Sequence, residues 1–228
     1  MYQSPRGTAI AATALLAATG AATVFSLVSE FRLYTVAGDL VADAKSVDLS
    51  TLTDADQLHQ NASTIHLVTL LASAVTFIIW FYRVRVNAET FDPHGHRHKR
   101  GWAIGGWFVP VAALWFPRQI AADIWQAGAR PDELGVRQPL PLTLLNLWWS
   151  TFLMSGLVSR IGARISTTAA YPDTYQQSMV WLAASDLLEL AAAVFAILMV
   201  RKLTATQEQR FTEATSKAYG VPASTVQS

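Results

Sequence analysis

The sequence predicts an all-α integral membrane protein: a four-helix bundle with both termini inside and an added Trp/Pro-rich segment on the cytoplasmic side. Three observations carry this. Hydrophobic residues make up 52% of the 228 residues and charged residues only 14%, against about 25% charged in an average soluble domain. The apolar residues gather into runs of the ~20 residues a helix needs to cross a hydrocarbon core about 30 Å thick. The basic residues are distributed unevenly between the segments that join those runs. This composition argues against both a soluble enzyme and a disordered chain. With no cysteine in the chain, disulfide frameworks, thiolate nucleophiles and Cys-ligated zinc are excluded too. A net charge of +1 argues against a nucleic-acid partner.

Four spans are expected within a single membrane domain, at about 8–28, 62–82, 140–161 and 177–200. The first follows Arg6 and ends in small residues, as a signal peptide does, but its apolar run is too long for a usual signal sequence. It is expected to be a retained helix. A fifth apolar stretch, Gly101 to Pro117, carries Gly105, Gly106 and Pro110, which weaken a helix interior. Charge arbitrates here, because cytoplasmic loops are enriched in Lys and Arg. If the stretch does not cross, thirteen basic residues lie inside and four outside; if it does cross, the split is eight to nine. Four crossings are therefore expected, with segment 101–128 re-entrant or interfacial. Trp102, Trp107, Pro110, Trp115, Pro117 and Trp125 would then form a docking segment at the headgroup level, which indole rings prefer. After Pro117, Ile120 and Ile124 fall at helical spacing and Gly128 is placed as a stop, a short amphipathic helix.

Between the first two spans, residues 29–61 hold six acids and two basic residues and are expected outside. Thr53 followed by Asp54 and Asp56 resembles a helix start, so this stretch is either a loose acidic loop or a helix running into the second span. The tail 203–228 begins helically and is expected to be partly disordered towards its Ser/Thr-rich end.

An intramembrane polar centre is expected on two helices. His66, Thr69, Ser73 and Thr76 follow spacings of three, four and three, one stripe of a helix. Ser185, Asp186 and Glu189 lie well inside the fourth span, where two acids facing lipid would be costly. The pair is expected to share a proton and titrate as a unit, with His66 and Arg160 supplying charge or a proton route. Close helix packing is expected along Ala14, Ala18 and Ala22 and along Ser155 and Ser159, which have small-xxx-small spacing. His94, His96 and His98 beside Asp92 make a weak candidate metal site. The alternative is a basic loop that rests on anionic headgroups through Arg97, Lys99 and Arg100. No HExxH, nucleophile elbow or phosphate loop occurs, and no cofactor is expected.

The order WFYRVRVNA (Trp80–Ala88), GWAIGGWFVPVAALWFP, Trp125, then Trp148–Trp149 resembles an actinobacterial family of multi-pass membrane proteins named for a domain of unknown function, DUF4328. Trp80, Arg83, Asn87, Ala88, Gly101, Trp102, Trp107, Phe108, Pro110 and Pro117 fit its pattern. Ala113 departs from it, where the family commonly has Asn. The resemblance covers about residues 60–200 and implies a membrane protein with no established activity. The favoured class is therefore a non-enzymatic protein of the bacterial cell membrane that works by interaction, assembly or sensing. Its expected contacts are membrane lipid and either a protein partner or its own copy through the membrane helices. A small-solute or proton-coupled transporter using Asp186 and Glu189 is the alternative, and an interfacial enzyme acting on lipid the third.

Overall fold

The computed structural model describes residues 2–43, 45, 47–130 and 137–219. They form six α-helices and one 3-10 turn: α1 (Arg6–Ala42), α2 (Leu49–Phe91), α3 (Trp102–Gly105), the turn Ala112–Leu114, α4 (Phe116–Ala127), α5 (Thr143–Thr168) and α6 (Pro172–Tyr219). No strand occurs among the described residues.

Three of these helices, α1, α2 and α6, are long and apolar enough to cross a membrane. The stretch predicted as the third span lies in α5. It begins after Pro139 and Pro141 and carries Asn146, Ser150, Thr151, Ser155, Ser159 and Arg160, so its apolarity falls short of the other three. Large apolar side chains face outward along the long helices, among them Leu67, Val68 and Leu71 of α2 and Leu187 of α6. Such faces need an apolar surrounding, not water.

The helices overrun the predicted spans at several ends. The acidic stretch 29–61 is mostly helix and not a loop, because α1 continues to Ala42 and α2 starts at Leu49. The start signal is Asp48, not Thr53. Its carboxylate accepts the Thr51 backbone N–H at 2.9 Å and the Ser50 hydroxyl at 3.1 Å, as an N-cap does. From there α2 runs unbroken through the predicted span. Pro172 opens α6, where its missing N–H costs nothing, and α6 carries the tail to Tyr219. The remainder of the tail expected to be disordered, residues 220–228, lies outside the described residues.

Contacts divide the chain into two compact units. The first comprises Met1–Ala14, Ala74–Asn146 and Ile197–Ser228. Its core holds Trp80, Phe81, Val84, Ile120, Ile124, Leu145, Met199 and Val200, each almost fully buried. The second comprises Leu15–Ser73 and Leu147–Ala196. It packs Leu33, Val36, Ala55 and Met179 together with Leu52, Tyr175 and Leu182. Helices α5 and α6 approach closely there: a Cβ on Gly162 would lie 3.0 Å from the Leu182 side chain and 3.1 Å from its backbone nitrogen.

Candidate functional site

The second unit contains the candidate site, built from α1, α2 and α6. The buried positions along α1 include Thr19, Ala22, Thr23, Ser26, Ser29, Glu30 and Leu33, a stripe at helical spacing. Ala14 and Ala18 are exposed, so the predicted alanine stripe is corrected to a hydroxyl-rich one. Its hydroxyls are satisfied locally, Thr19 donating to the Leu15 carbonyl at 3.0 Å, Thr23 to Thr19 at 2.9 Å and Ser29 to Ser26 at 2.8 Å. Side chains can then sit against a neighbouring helix without orphaned donors. Thr19 also bonds Ser73 of α2 at 3.3 Å, and Ser29 bonds His59 Nδ1 at 3.1 Å.

At the centre, His66 Nε2 lies 2.8 Å from Glu189 Oε1, both side chains about a quarter exposed or less. Asp186 is 8% exposed and Glu30 is 5% exposed. Asp186 lies within electrostatic reach of Glu30, Glu189 and His66. Neither Glu30 Oε2 nor Asp186 Oδ2 has a hydrogen-bond partner among the described residues. His66 thus pairs with Glu189 and lies within reach of Asp186, while Glu30 and Asp186 each keep a buried oxygen unsatisfied among the described residues.

Of the predicted centre, the structure brings together His66, Asp186 and Glu189. Ser185 is buried beside them but spends its hydroxyl on the Leu182 carbonyl at 2.8 Å. Thr69 does the same with Ile65 and His66. Arg160 is exposed on α5 and makes no ion pair with the cluster among the described residues. Sequence reasoning missed Glu30, His59 and Ser29. The signal was present in the spacing Thr19, Thr23, Ser26, Ser29/Glu30, but the apolar run hid it.

The first unit explains the motif WFYRVRVNA. Trp80 Nε1 donates to Thr204 Oγ1 at 3.0 Å, and Arg83 donates to the Ser4 carbonyl at 3.2 Å. Asn87, 1% exposed, accepts from the Gln3 backbone N–H at 3.1 Å and donates to the Gln3 carbonyl at 2.7 Å. It also donates to Gln207 Oε1 at 3.3 Å, while Gln207 donates to the Val84 carbonyl at 2.8 Å. Arg85 bridges Glu89 and the His98 carbonyl, each at 2.7 Å. Arg100 and Arg85 together hold the Glu89 carboxyl below its usual range. Tyr2 stacks on Phe211 with ring centres 4.0 Å apart, and burial beside Glu208 pushes its phenol up to about 12. These motif residues hold the fold.

The histidine loop does not converge. His98 bonds Gln119 at 2.8 Å and stacks near Phe116, His94 is exposed, and His96 is largely enclosed. No group of three potential metal ligands assembles among the described residues. Arg97 instead clamps Asp123 of α4 at 2.7 Å.

The Trp-rich segment divides. Trp102, Trp115, Phe108 and Val111 are exposed, whereas Trp125 and Pro117 are buried. Trp107 packs edge-on against Phe77 and Phe81. Helix α4 is buried on nearly every side from Ile120 to Trp125, which corrects the picture of a helix with one face in the headgroups. Trp125 lies beneath Lys202, 5.0 Å from the ring centre. Gly128 does end α4, though not through a left-handed backbone (φ −76°). A Cβ there would meet Thr206 Cγ2 at 2.9 Å, so the glycine serves close approach. Trp148 and Trp149 are buried in the second unit with rings 5.3 Å apart.

Comparison with protein families matches residues 43–205 to the family described as "Domain of unknown function (DUF4328)". The match takes in the motif residues, His66, Asp186 and Glu189, and leaves Glu30 outside. No curated protein and no solved structure matches the chain.

Proposed function

The chain belongs to the DUF4328 family, and from that premise we propose that it is a non-enzymatic multi-pass protein of the cell membrane that senses protons through its buried carboxyl cluster. One observation carries this: Glu30 and Asp186 each keep an unpartnered oxygen in the interior, beside a single His66–Glu189 pair. A buried carboxylate without a partner is costly, whereas its protonated form carries no charge to desolvate. The groups facing the cluster are Glu30 from α1, His59 and His66 from α2, and Asp186 and Glu189 from α6. Gain or loss of one proton there changes which of these groups attract and which repel.

Infrared difference spectra of the full chain in nanodiscs test this, recorded between about pH 8 and about pH 5, a window that covers an unperturbed imidazole and the upper carboxyl range. A protonated-carboxyl band is expected in the wild type, reduced in Glu30→Gln and in Asp186→Asn. A spectrum unchanged by both substitutions overturns the proposal. The thirteen-to-four distribution of basic residues supports both termini being cytoplasmic. In this cysteine-free chain, single cysteines at His94 and Ser228 are then both expected to resist impermeant thiol reagents in intact cells. Labelling of Ser228 alone would restore a fifth crossing.

A second reading is proton-coupled transport. The hydroxyl stripe Thr19–Ser73, Thr23, Ser26 and Ser29 favours it, because it continues the polar lining away from the acids along α1. Proteoliposomes loaded with a pH dye separate the two: net proton entry that Asp186→Asn abolishes belongs to transport, and its absence with the infrared band retained belongs to sensing.

A further inference from the structure

We infer that the second unit contains a binding site for a small organic cation with an apolar body, in a cavity of about 420 Å³ separate from the carboxyl cluster. Its walls come from Leu33, Val36 and Leu40 of α1, Leu52 of α2, and Tyr175 of α6, with Asp56 of α2 as the acidic residue among those lining it. The volume falls in the ~300–1,000 Å³ range of small-molecule sites, whose usual design is apolar walls with few polar anchors.

Three features define the ligand. The apolar walls select a hydrocarbon body. The one charge is negative and exposed, because Asp56 makes no ion pair among the described residues, so the complementary head is a cation. Tyr175 and Tyr171 line the same cavity, and aromatic rings favour alkylammonium heads over hydrated metal ions. A single carboxylate is likewise too few oxygens for a divalent ion, which takes six or more ligands in calcium sites. The stretch 29–61, which supplies Leu33, Val36, Leu40, Leu52 and Asp56 of the lining, holds six acids and two basic residues, a net charge that favours cations.

The site is independent of proton sensing, and its test leaves the carboxyl cluster intact. Hexyltrimethylammonium titrated into the full chain in mild detergent is the probe, followed by calorimetry, with hexanol and hexyl sulfate as neutral and anionic controls. Saturable binding of the cation is expected, at least about tenfold tighter than either control, the scale of 1.4 kcal/mol. Asp56→Asn is expected to remove that preference, and Leu52→Trp, which fills the cavity, to remove binding altogether. Equal binding of hexanol, or a cation affinity unmoved by Asp56→Asn, would show an apolar slot for lipid tails and overturn the inference. Failure of the cation to bind at all overturns it as well.

Discussion

The two units bury polar groups on opposite terms. In the first, Asn87, Gln207 and Arg85 are each at most 3% exposed, and each has its hydrogen-bond partners in place. The exceptions there are the Tyr2 hydroxyl and the His96 ring, both uncharged when buried. In the second unit the unsatisfied side-chain atoms among the described residues are carboxylate oxygens of Glu30 and Asp186. A satisfied amide network specifies a structure, while an unsatisfied acid stores an unfavourable interaction that a proton or a cation can relieve. The contrast separates what holds this protein together from what it is able to respond with.

Asn87→Ala is the severest way to test that contrast. It strands the Gln3 main chain and Gln207 inside the first unit, and a loss of about 2–4 kcal/mol is expected from such unmade buried bonds. The midpoint of thermal unfolding in detergent reads it; a drop of a degree or less would mean the network is dispensable. Gly128→Ala comes next. The added methyl meets Thr206, and overpacking of this kind costs about 1–3 kcal/mol. Thr206→Ser in the same chain is expected to restore part of the loss.

The opposite sign is expected in the second unit. Asp186→Asn and Glu30→Gln should leave the unfolding midpoint unchanged or raise it at neutral pH, because each removes an acid that has an unpartnered oxygen. A destabilisation as large as that of Asn87→Ala would erase the distinction between the units.

A smaller effect belongs to His96. Burial, with Arg85 nearby, holds its imidazole below the ordinary value, so the folded state favours the neutral ring. Its contribution is therefore complete above about pH 6.5, the unfolded value, and is lost as pH falls below it. The charged residues that face it are Arg85, Glu89 and Asp123. The wild-type midpoint should decline between pH 7 and pH 5 more steeply than that of His96→Gln; parallel curves would show the ring is not enclosed in solution. Smallest of all is Asp48→Ala, which removes the cap of α2 and should trim helicity only at its first turn, visible as faster amide exchange at Ser50 and Thr51.

Much of this was legible in the chain, and the misses have physical causes. The apolar runs located α1, α2 and α6, and Pro117 with Gly128 bracketed α4. Span length was read from apolarity alone, which cannot see that Asp48 starts a helix well before the apolar run begins. His66, Asp186 and Glu189 were found because charge inside an apolar run is conspicuous. Glu30 was not, since it falls just past the run and its hydroxyl neighbours pass for ordinary membrane residues. The motif WFYRVRVNA stood out in the sequence, while the contacts of Asn87 and Trp80 depend on partners near Gln3 and Gln207, far away in sequence. Trp125 shows the limit of composition: the ring suits a membrane surface, yet packing against Lys202 decides its place.

The three longest helices have 37, 43 and 48 residues, which at ~1.5 Å per residue is about 55 to 72 Å each. That is roughly twice a hydrocarbon core of ~30 Å, and none of the three is interrupted where such a core would end. Each is a continuous helix along its whole range. The edge of such a core on these helices would therefore be set by side chains and not by breaks in the main chain. A thicker or thinner bilayer can be met by tilt or by a vertical shift, at a cost of fractions of a kcal/mol per ångström of mismatch. Helices of this length leave room for either adjustment.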